Sequence, residues 1–125
     1  MWALLVAALV MACASPAVPP GGPEDEEPPV IVRVRPDTNA INVRSGRVGF
    51  DFDEVISERP QGAPNLAELF VISPSKGPNT LSWRRTRLEV GARGGLRRNT
   101  TYRVTMLPGL VDLDGNMDSV GTTIV

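Results

Sequence analysis

The chain contains no histidine, one cysteine and one lysine, Lys76, among its 125 residues. Without histidine it lacks the commonest general base and the commonest metal ligand, and Ser-His and Cys-His nucleophile pairs are excluded. A single cysteine cannot form an intrachain disulfide, and zinc sites built from thiolates and imidazoles are excluded too. Catalysis would have to depend on carboxylates alone, so we expect a protein that is not an enzyme and holds no cofactor.

Strong net charge is also missing. The 13 basic residues nearly balance the 14 acidic ones, so the formal net charge is −1. Since only a pronounced basic field points to nucleic acid, we expect no nucleic-acid partner. The length allows one domain and leaves little room for a second.

The first apolar stretch of the chain ends at its only cysteine. Residues 2–12 are continuously apolar, which is about half of the roughly 20 residues that a membrane-spanning helix needs. This length fits the hydrophobic region of a signal peptide. Val10, Met11 and Ala12, followed by Cys13, resemble a bacterial lipobox. The alternative is an N-terminal apolar helix with a buried cysteine.

The lipobox resemblance implies a signal peptide over residues 1–12, cleavage before Cys13 and a covalent lipid on its sulfur. Two or more acyl chains would hold the protein stably on a membrane. Ala14 follows the cysteine instead of Asp, which favours the outer membrane of a Gram-negative cell. Signal peptides normally begin with Lys or Arg, and this one does not, so we expect either that the true start lies upstream or that the chain is recorded short.

Residues 13–29 predict a tether that begins at the lipidated cysteine. From residue 14 the segment reads "ASPAVPPGGPEDEEPP", with six prolines, two glycines and four consecutive acids. It offers no helical period and little apolar area, so it predicts an extended linker. The acids Glu24 to Glu27 predict a solvated run, with a cation site as the alternative. Sixteen residues of polyproline-like chain span on the order of 50 Å.

After Pro29 the apolar residues recur at every second position, the period of a strand with one buried face. The predicted inward residues of the first two strands are Val30, Val32, Val34, Val48, Phe50 and Phe52. Further strands are predicted at 69–73, 80–83, 87–90, 101–107 and from near 120, with one helical turn at 65–70. About seven short strands predict an all-β fold, an immunoglobulin-like antiparallel β-sandwich over residues 30–125.

Four segments resemble one known family in their order and spacing. "PPGGPEDEEPPVIVRVRP" is similar to the segment that joins a lipidated cysteine to the first strand of this family. "VGFDFDEVI" is similar to its second strand, "LRRNTTYRVTM" to the strand entered through Leu, Thr and Tyr, and "VDLDGNM" to the loop before its closing strand. The family is that of bacterial Ig-like domains of the SbsA type, common in surface lipoproteins, and the resemblance covers about residues 19–125. Fibronectin type III domains are the nearest structural competitor. The closing strand is cut short at Val125. We therefore expect that the domain is truncated, is completed by a partner or is part of a longer gene.

Leu96 and Tyr102 stand six residues apart, which is the spacing of a tyrosine corner. In that motif the phenol hydroxyl bonds to backbone upstream while the ring fills the core.

The segment "DLDGNMD" contains the best candidate for a ligand site. Asp112, Asp114, Asn116 and Asp118 alternate as calcium-loop ligands do, and Asp53 and Glu54 are candidates to lie nearby. The glycine and glutamate of an EF-hand are absent from their positions, so a turn whose Asp side chains bond their own backbone is the other interpretation. Asp53 and Glu54 cannot act as a glycosidase pair, because neighbours on a strand point to opposite faces.

Six arginines crowd one part of the sequence, where some would share a solvent face: Arg84, Arg85, Arg87, Arg93, Arg97 and Arg98. A basic patch of this kind could contact an anionic glycan or lipid phosphates, and a solvated face is the alternative.

The first hypothesis is a non-catalytic module, anchored to the membrane of the bacterial cell envelope through Cys13, that contacts an envelope protein or glycan. The alternatives are a calcium- or carbohydrate-binding module and a fragment of a larger surface protein.

Overall fold

In the computed structural model, which describes residues 21–75 and 77–125, the alternating apolar segments form seven β-strands. They are β1 (Ile31–Arg35), β2 (Arg47–Phe52), β3 (Phe70–Ser73), β4 (Asn79–Arg84), β5 (Arg87–Ala92), β6 (Arg103–Met106) and β7 (Thr122–Ile124). One 3-10 helix, η1 (Leu66–Leu69), precedes β3 and is capped by the Asn65 side chain, which accepts a hydrogen bond from the Glu68 N–H. The helical turn predicted at 65–70 is confirmed.

The strands form two antiparallel sheets. One sheet has the order β1-β2-β5-β4 and the other the order β3-β6-β7. This is the arrangement of a seven-strand immunoglobulin sandwich of the constant type. The predicted all-β sandwich is therefore confirmed.

The core lies between the two sheets. The Phe50 ring of β2 meets the Phe70 ring of β3 at a centroid distance of 5.3 Å and a tilt of 42°. Around this pair, alternate residues of four strands are buried: Phe52, Leu88, Val90, Ile72, Val104 and Met106. The loops add Ile56, Leu66, Leu69 and Leu110. Burying each large apolar side chain contributes about 1.5–3 kcal/mol, so this seam supplies most of the stabilisation of the fold.

The predicted inward face of β1 is wrong at Val30 and Val32 and right at Val34. Val30 and Val32 are 53% and 62% exposed, whereas Ile31 and Val34 pack against the core. The pairing of β1 with β2 shifts register between Ile31 and Arg33, which marks a bulge. A bulge places two residues opposite one on the partner strand, so residues three apart can share a face.

The last strand begins two residues later than predicted. Val120 is 83% exposed, and β7 starts at Thr122. Gly121 has a φ of +74°, and a Cβ there would collide with the Met106 carbonyl oxygen. The chain therefore turns at Gly121, which glycine allows, before it pairs with β6.

The tyrosine corner is present. The Tyr102 ring packs against the core, and its hydroxyl accepts a hydrogen bond of 2.8 Å from the Arg97 backbone N–H. A bond of this kind contributes about 1 kcal/mol and fixes the loop that leads into β6. Trp83 also packs against the core, and its indole donates to the Ile56 carbonyl at 2.8 Å.

The sandwich has two distinct ends. At one end the chain enters β1, where the Val30 N–H donates to the Asp53 carboxylate and the Phe52 N–H donates to the Thr86 carbonyl. We call this the entry end. At the other end of β5 lie residues 74, 75, 77 and 78 and the loop 93–102, which we call the far end. The two are separated by the six-residue β5, about 20 Å at the usual rise of a strand.

Candidate functional site

Four acidic residues from separate parts of the chain converge at the entry end. Asp25 precedes β1, Glu54 follows β2, and Asp112 and Asp114 lie in the loop between β6 and β7. One carboxylate oxygen of each lies within 4.8 Å of those of the other three. We call these four residues the carboxylate cluster.

Backbone pairing brings the three segments together. Ile56 forms an isolated bridge with Asp112, and the Ser57 N–H donates to the Val111 carbonyl at 2.8 Å. These contacts hold the segment after β2 against the loop before β7. The Asn116 side-chain amide then donates to the Asp25 carbonyl at 2.9 Å, which ties the segment before β1 to the same loop.

Asp112 organises the loop from inside. Its side chain is only 2% exposed, and one carboxylate oxygen accepts from the backbone N–H groups of Asp114 and Asn116 at 2.7 and 2.9 Å. The other oxygen accepts from the Asn116 amide at 2.8 Å. Burial by itself raises the pKa of Asp112, but the hydrogen bonds from Asn116 and the loop backbone outweigh it and lower the pKa below its ordinary value. Asp112 is therefore an ionised, satisfied structural anchor.

The pKa of Glu54 shifts in the opposite direction from that of Asp112. Burial, the charge of Asp112 and the proximity of Asp25 raise the pKa of Glu54 from 4.5 to about 7. Asp53, the next residue in the chain, adds a smaller repulsion. Like charges at this separation cannot all ionise without cost, so Glu54 keeps its proton to a higher pH than an ordinary glutamate does.

The carboxylate oxygens of the cluster can form two kinds of contact, a hydrogen bond between carboxyl groups or bonds to a metal ion. A proton on Glu54 allows a hydrogen bond to the Asp25 carboxylate. Carboxylates are also the ligands that calcium prefers, at 2.3–2.6 Å. Asp53 and Glu54 do not act together, since Asp53 accepts from the Val30 N–H while Glu54 joins the cluster.

The residues predicted for a calcium loop separate into three roles. Asp112 and Asp114 lie in the carboxylate cluster. Asn116 stands beside them and bonds both Asp112 and Asp25. The Asp118 carboxylate instead accepts from the N–H groups of Val120 and Gly121, in the turn that leads to β7.

Sequence analysis did not identify Asp25 as part of this site. It lies in the acidic run that composition assigned to a solvated tether, and no local pattern distinguishes it from Glu24 or Glu26. Only the folded chain places it beside Asn116. Cys13, the predicted lipidation site, lies outside the described residues.

The six crowded arginines do not form one patch. Arg84, Arg85 and Arg87 lie at the β4–β5 hairpin of the entry end, whereas Arg93, Arg97 and Arg98 lie at the far end. Arg87 is not a free cation, since its guanidinium binds the Asp51 carboxylate, which Arg35 also approaches at 3.3 Å. These arginines lower the pKa of Asp51, chiefly through the hydrogen bond from Arg87.

Comparison with known proteins gives one match. The family model described as a bacterial Ig-like domain matches residues 25–123. No curated protein and no solved structure matches the chain. Among the described residues, no helix has the length and apolar character required to cross a membrane.

The raised pKa of Glu54 predicts a pH-dependent stability. Because the pKa in the folded state, about 7, exceeds the ordinary value of 4.5, the stabilisation is complete below pH 4.5 and is lost as the pH rises through 7. We expect the free energy of unfolding to fall by on the order of 1–2 kcal/mol over this window, allowing for solvent screening. Glu54→Gln should abolish the fall, as measured by urea unfolding at about pH 5 and about pH 8.

The control is Glu58→Gln, an exposed acid outside the cluster, which should keep the fall. An identical pH dependence in wild type and Glu54→Gln would contradict this assignment.

Proposed function

Because the chain belongs to the bacterial Ig-like domain family, we propose that it is a non-catalytic, lipid-anchored module of the bacterial cell envelope. Domains of this family are typically non-catalytic and usually occur in surface-exposed or extracellular proteins. In this proposal Cys13 carries the anchor, the following residues space the domain from the membrane, and the sandwich presents a surface to an envelope partner.

The observation that carries the proposal is the position of the chain entry. The segment before β1 is fixed at the entry end by the contacts of Asp25 with Asn116 and of Val30 with Asp53. A lipid at Cys13 would therefore attach to the sandwich at that end alone, and the far end would point away from the bilayer.

The same contacts set the length of free chain. If the domain begins at Asp25, the spacer covers residues 14–24, which span about 35 Å in a polyproline-like conformation. That distance still lifts the sandwich clear of the lipid headgroups. Residues 21–28 are exposed, as a spacer and its junction with the domain require.

The anchor is tested by Cys13→Ser in the full-length gene product, followed by membrane fractionation and labelling with a fatty-acid probe. We expect wild type to be labelled and to sediment with membranes, and Cys13→Ser to lose both properties, because serine accepts no thioether-linked lipid. The matched control is Ser15→Ala, which leaves the cysteine intact and should behave as wild type. Unlabelled wild type, or unchanged fractionation of Cys13→Ser, would overturn the anchor.

A second candidate function is calcium binding at the carboxylate cluster. It is favoured by the position of Asp25 and Glu54, which bring two further carboxylates to Asp112 and Asp114. Calcium would replace the proton on Glu54 and neutralise the repulsion that raises its pKa.

Isothermal titration of the full chain with calcium chloride tests this candidate. Extracellular calcium modules bind with Kd values of about 10⁻⁴–10⁻³ M, and we expect a value in that range. Glu54→Gln should weaken binding, whereas Glu58→Gln, outside the cluster, should not. An absence of heat at millimolar calcium, or equal affinities of the two variants, would refute calcium binding.

A further inference from the structure

The far end of the sandwich carries an open groove with a volume of about 300 Å³. One wall is formed by Pro74, Ser75 and Gly77, between β3 and β4, and the other by the start of the β5–β6 loop. Its lining residues are Pro74, Ser75, Gly77, Ala92, Arg93, Gly94, Gly95, Arg97 and Tyr102. The volume is at the lower limit of ligand sites, enough for one or two sugar residues.

Two consecutive glycines shape the groove. Gly94 and Gly95 have φ values of +91° and +81°, in the left-handed region that favours glycine. The Gly95 N–H donates to the Ala92 carbonyl at 3.0 Å, which closes a tight turn after β5. A Cβ at either glycine would meet no atom within 4 Å, so the space above this backbone is open to a ligand.

The charged side chains that line the groove are both positive. Arg93 and Arg97 are exposed and line it, and no lining residue is acidic. Residues 90–103 contain four arginines and no acid. Within residues 21–75 and 77–125, the ion pairs involve Arg35, Arg47 and Arg87, so the guanidiniums of Arg93 and Arg97 are not neutralised by a carboxylate.

From this groove we infer a binding site for an anionic polysaccharide, whose carboxylate or phosphate groups Arg93 and Arg97 bind. Two guanidiniums on one groove suit such groups, because each can donate two parallel hydrogen bonds to one anion. The Ser75 and Tyr102 hydroxyl groups and the glycine backbone supply further polar contacts to sugar hydroxyls.

Two observations favour a polysaccharide over a protein or a lipid surface. The exposed large apolar residues of the described chain all lie outside the lining, so the groove lacks the apolar anchors that protein interfaces use. The groove also lies at the far end, about 20 Å along β5 from the point where the chain enters. If the anchor proposed above holds, lipid phosphates lie on the opposite side of the domain.

The test compares two double variants of the full chain in detergent, with polygalacturonate as the probe. Arg93→Gln with Arg97→Gln removes both groove cations. Arg59→Gln with Arg84→Gln removes two exposed arginines outside the groove and changes the net charge equally. We expect wild type to bind the probe, the groove variant to bind it roughly tenfold or more weakly, and the control within about twofold of wild type.

Three results would overturn the site: no binding by wild type, equal losses in both double variants, or Arg93- and Arg97-dependent binding to phosphatidylglycerol vesicles with none to polygalacturonate. The first two results would show that the groove is not a specific site for the polysaccharide, and the third would assign the groove to lipid. Membrane fractionation of Cys13→Ser is independent of all three, so failure of the groove leaves the anchor proposal to its own experiment.

Discussion

The contact between the two sheets across Phe50 and Phe70 is the interaction on which the remaining structure depends. The two rings, 5.3 Å apart, come from β2 and β3, which belong to different sheets. No disulfide can replace this contact, because the chain has one cysteine. The loops at both ends keep their positions only while the sheets remain packed, since neither end has a core of its own.

The entry end adds a second, polar constraint. Asp112 is a buried charge, and its hydrogen bonds to the loop backbone and to Asn116 compensate for the loss of water. Asn116 in turn holds Asp25. One satisfied carboxylate thus determines where the N-terminal segment joins the domain. The loop between β6 and β7 therefore has two effects. It stabilises the entry end of the fold, and it fixes the end of the domain to which the proposed anchor would be joined.

Period-two patterning was sufficient to predict the sandwich, because every central strand buries alternate residues. It located β2, β5 and β6 and the inward positions Phe50 and Phe52. At β1, where a bulge breaks the alternation, it placed Val30 and Val32 inward, and at β7, where Gly121 turns the chain, it set the start of the strand two residues too early. Both failures have a tertiary cause that a single segment does not encode. The tyrosine corner was predictable because its spacing is local.

The residues of the candidate sites also divide into those that a local sequence pattern reveals and those that only the folded chain brings together. The alternating Asp112, Asp114 and Asn116 were visible in sequence, because they lie in one loop. Asp25 was not, since its contact with Asn116 exists only after the strands between them have paired. The six arginines are divided for a similar reason. The strand β5 places Arg87 at the entry end and Arg93 at the far end, so one part of the sequence supplies both the ion pair with Asp51 and a separate groove.

The most direct test of this account is urea unfolding of Phe50→Ala in the full chain, compared with Val71→Ala. Phe50 is fully buried, whereas Val71 is 46% exposed on the neighbouring sheet. Loss of the ring should reduce the free energy of unfolding by about 3–5 kcal/mol or leave the domain unfolded, while Val71→Ala should cost less than about 1 kcal/mol. If the free energy of unfolding of Phe50→Ala lies within about 1 kcal/mol of the wild-type value, the inter-sheet contact does not sustain the fold and the account is contradicted.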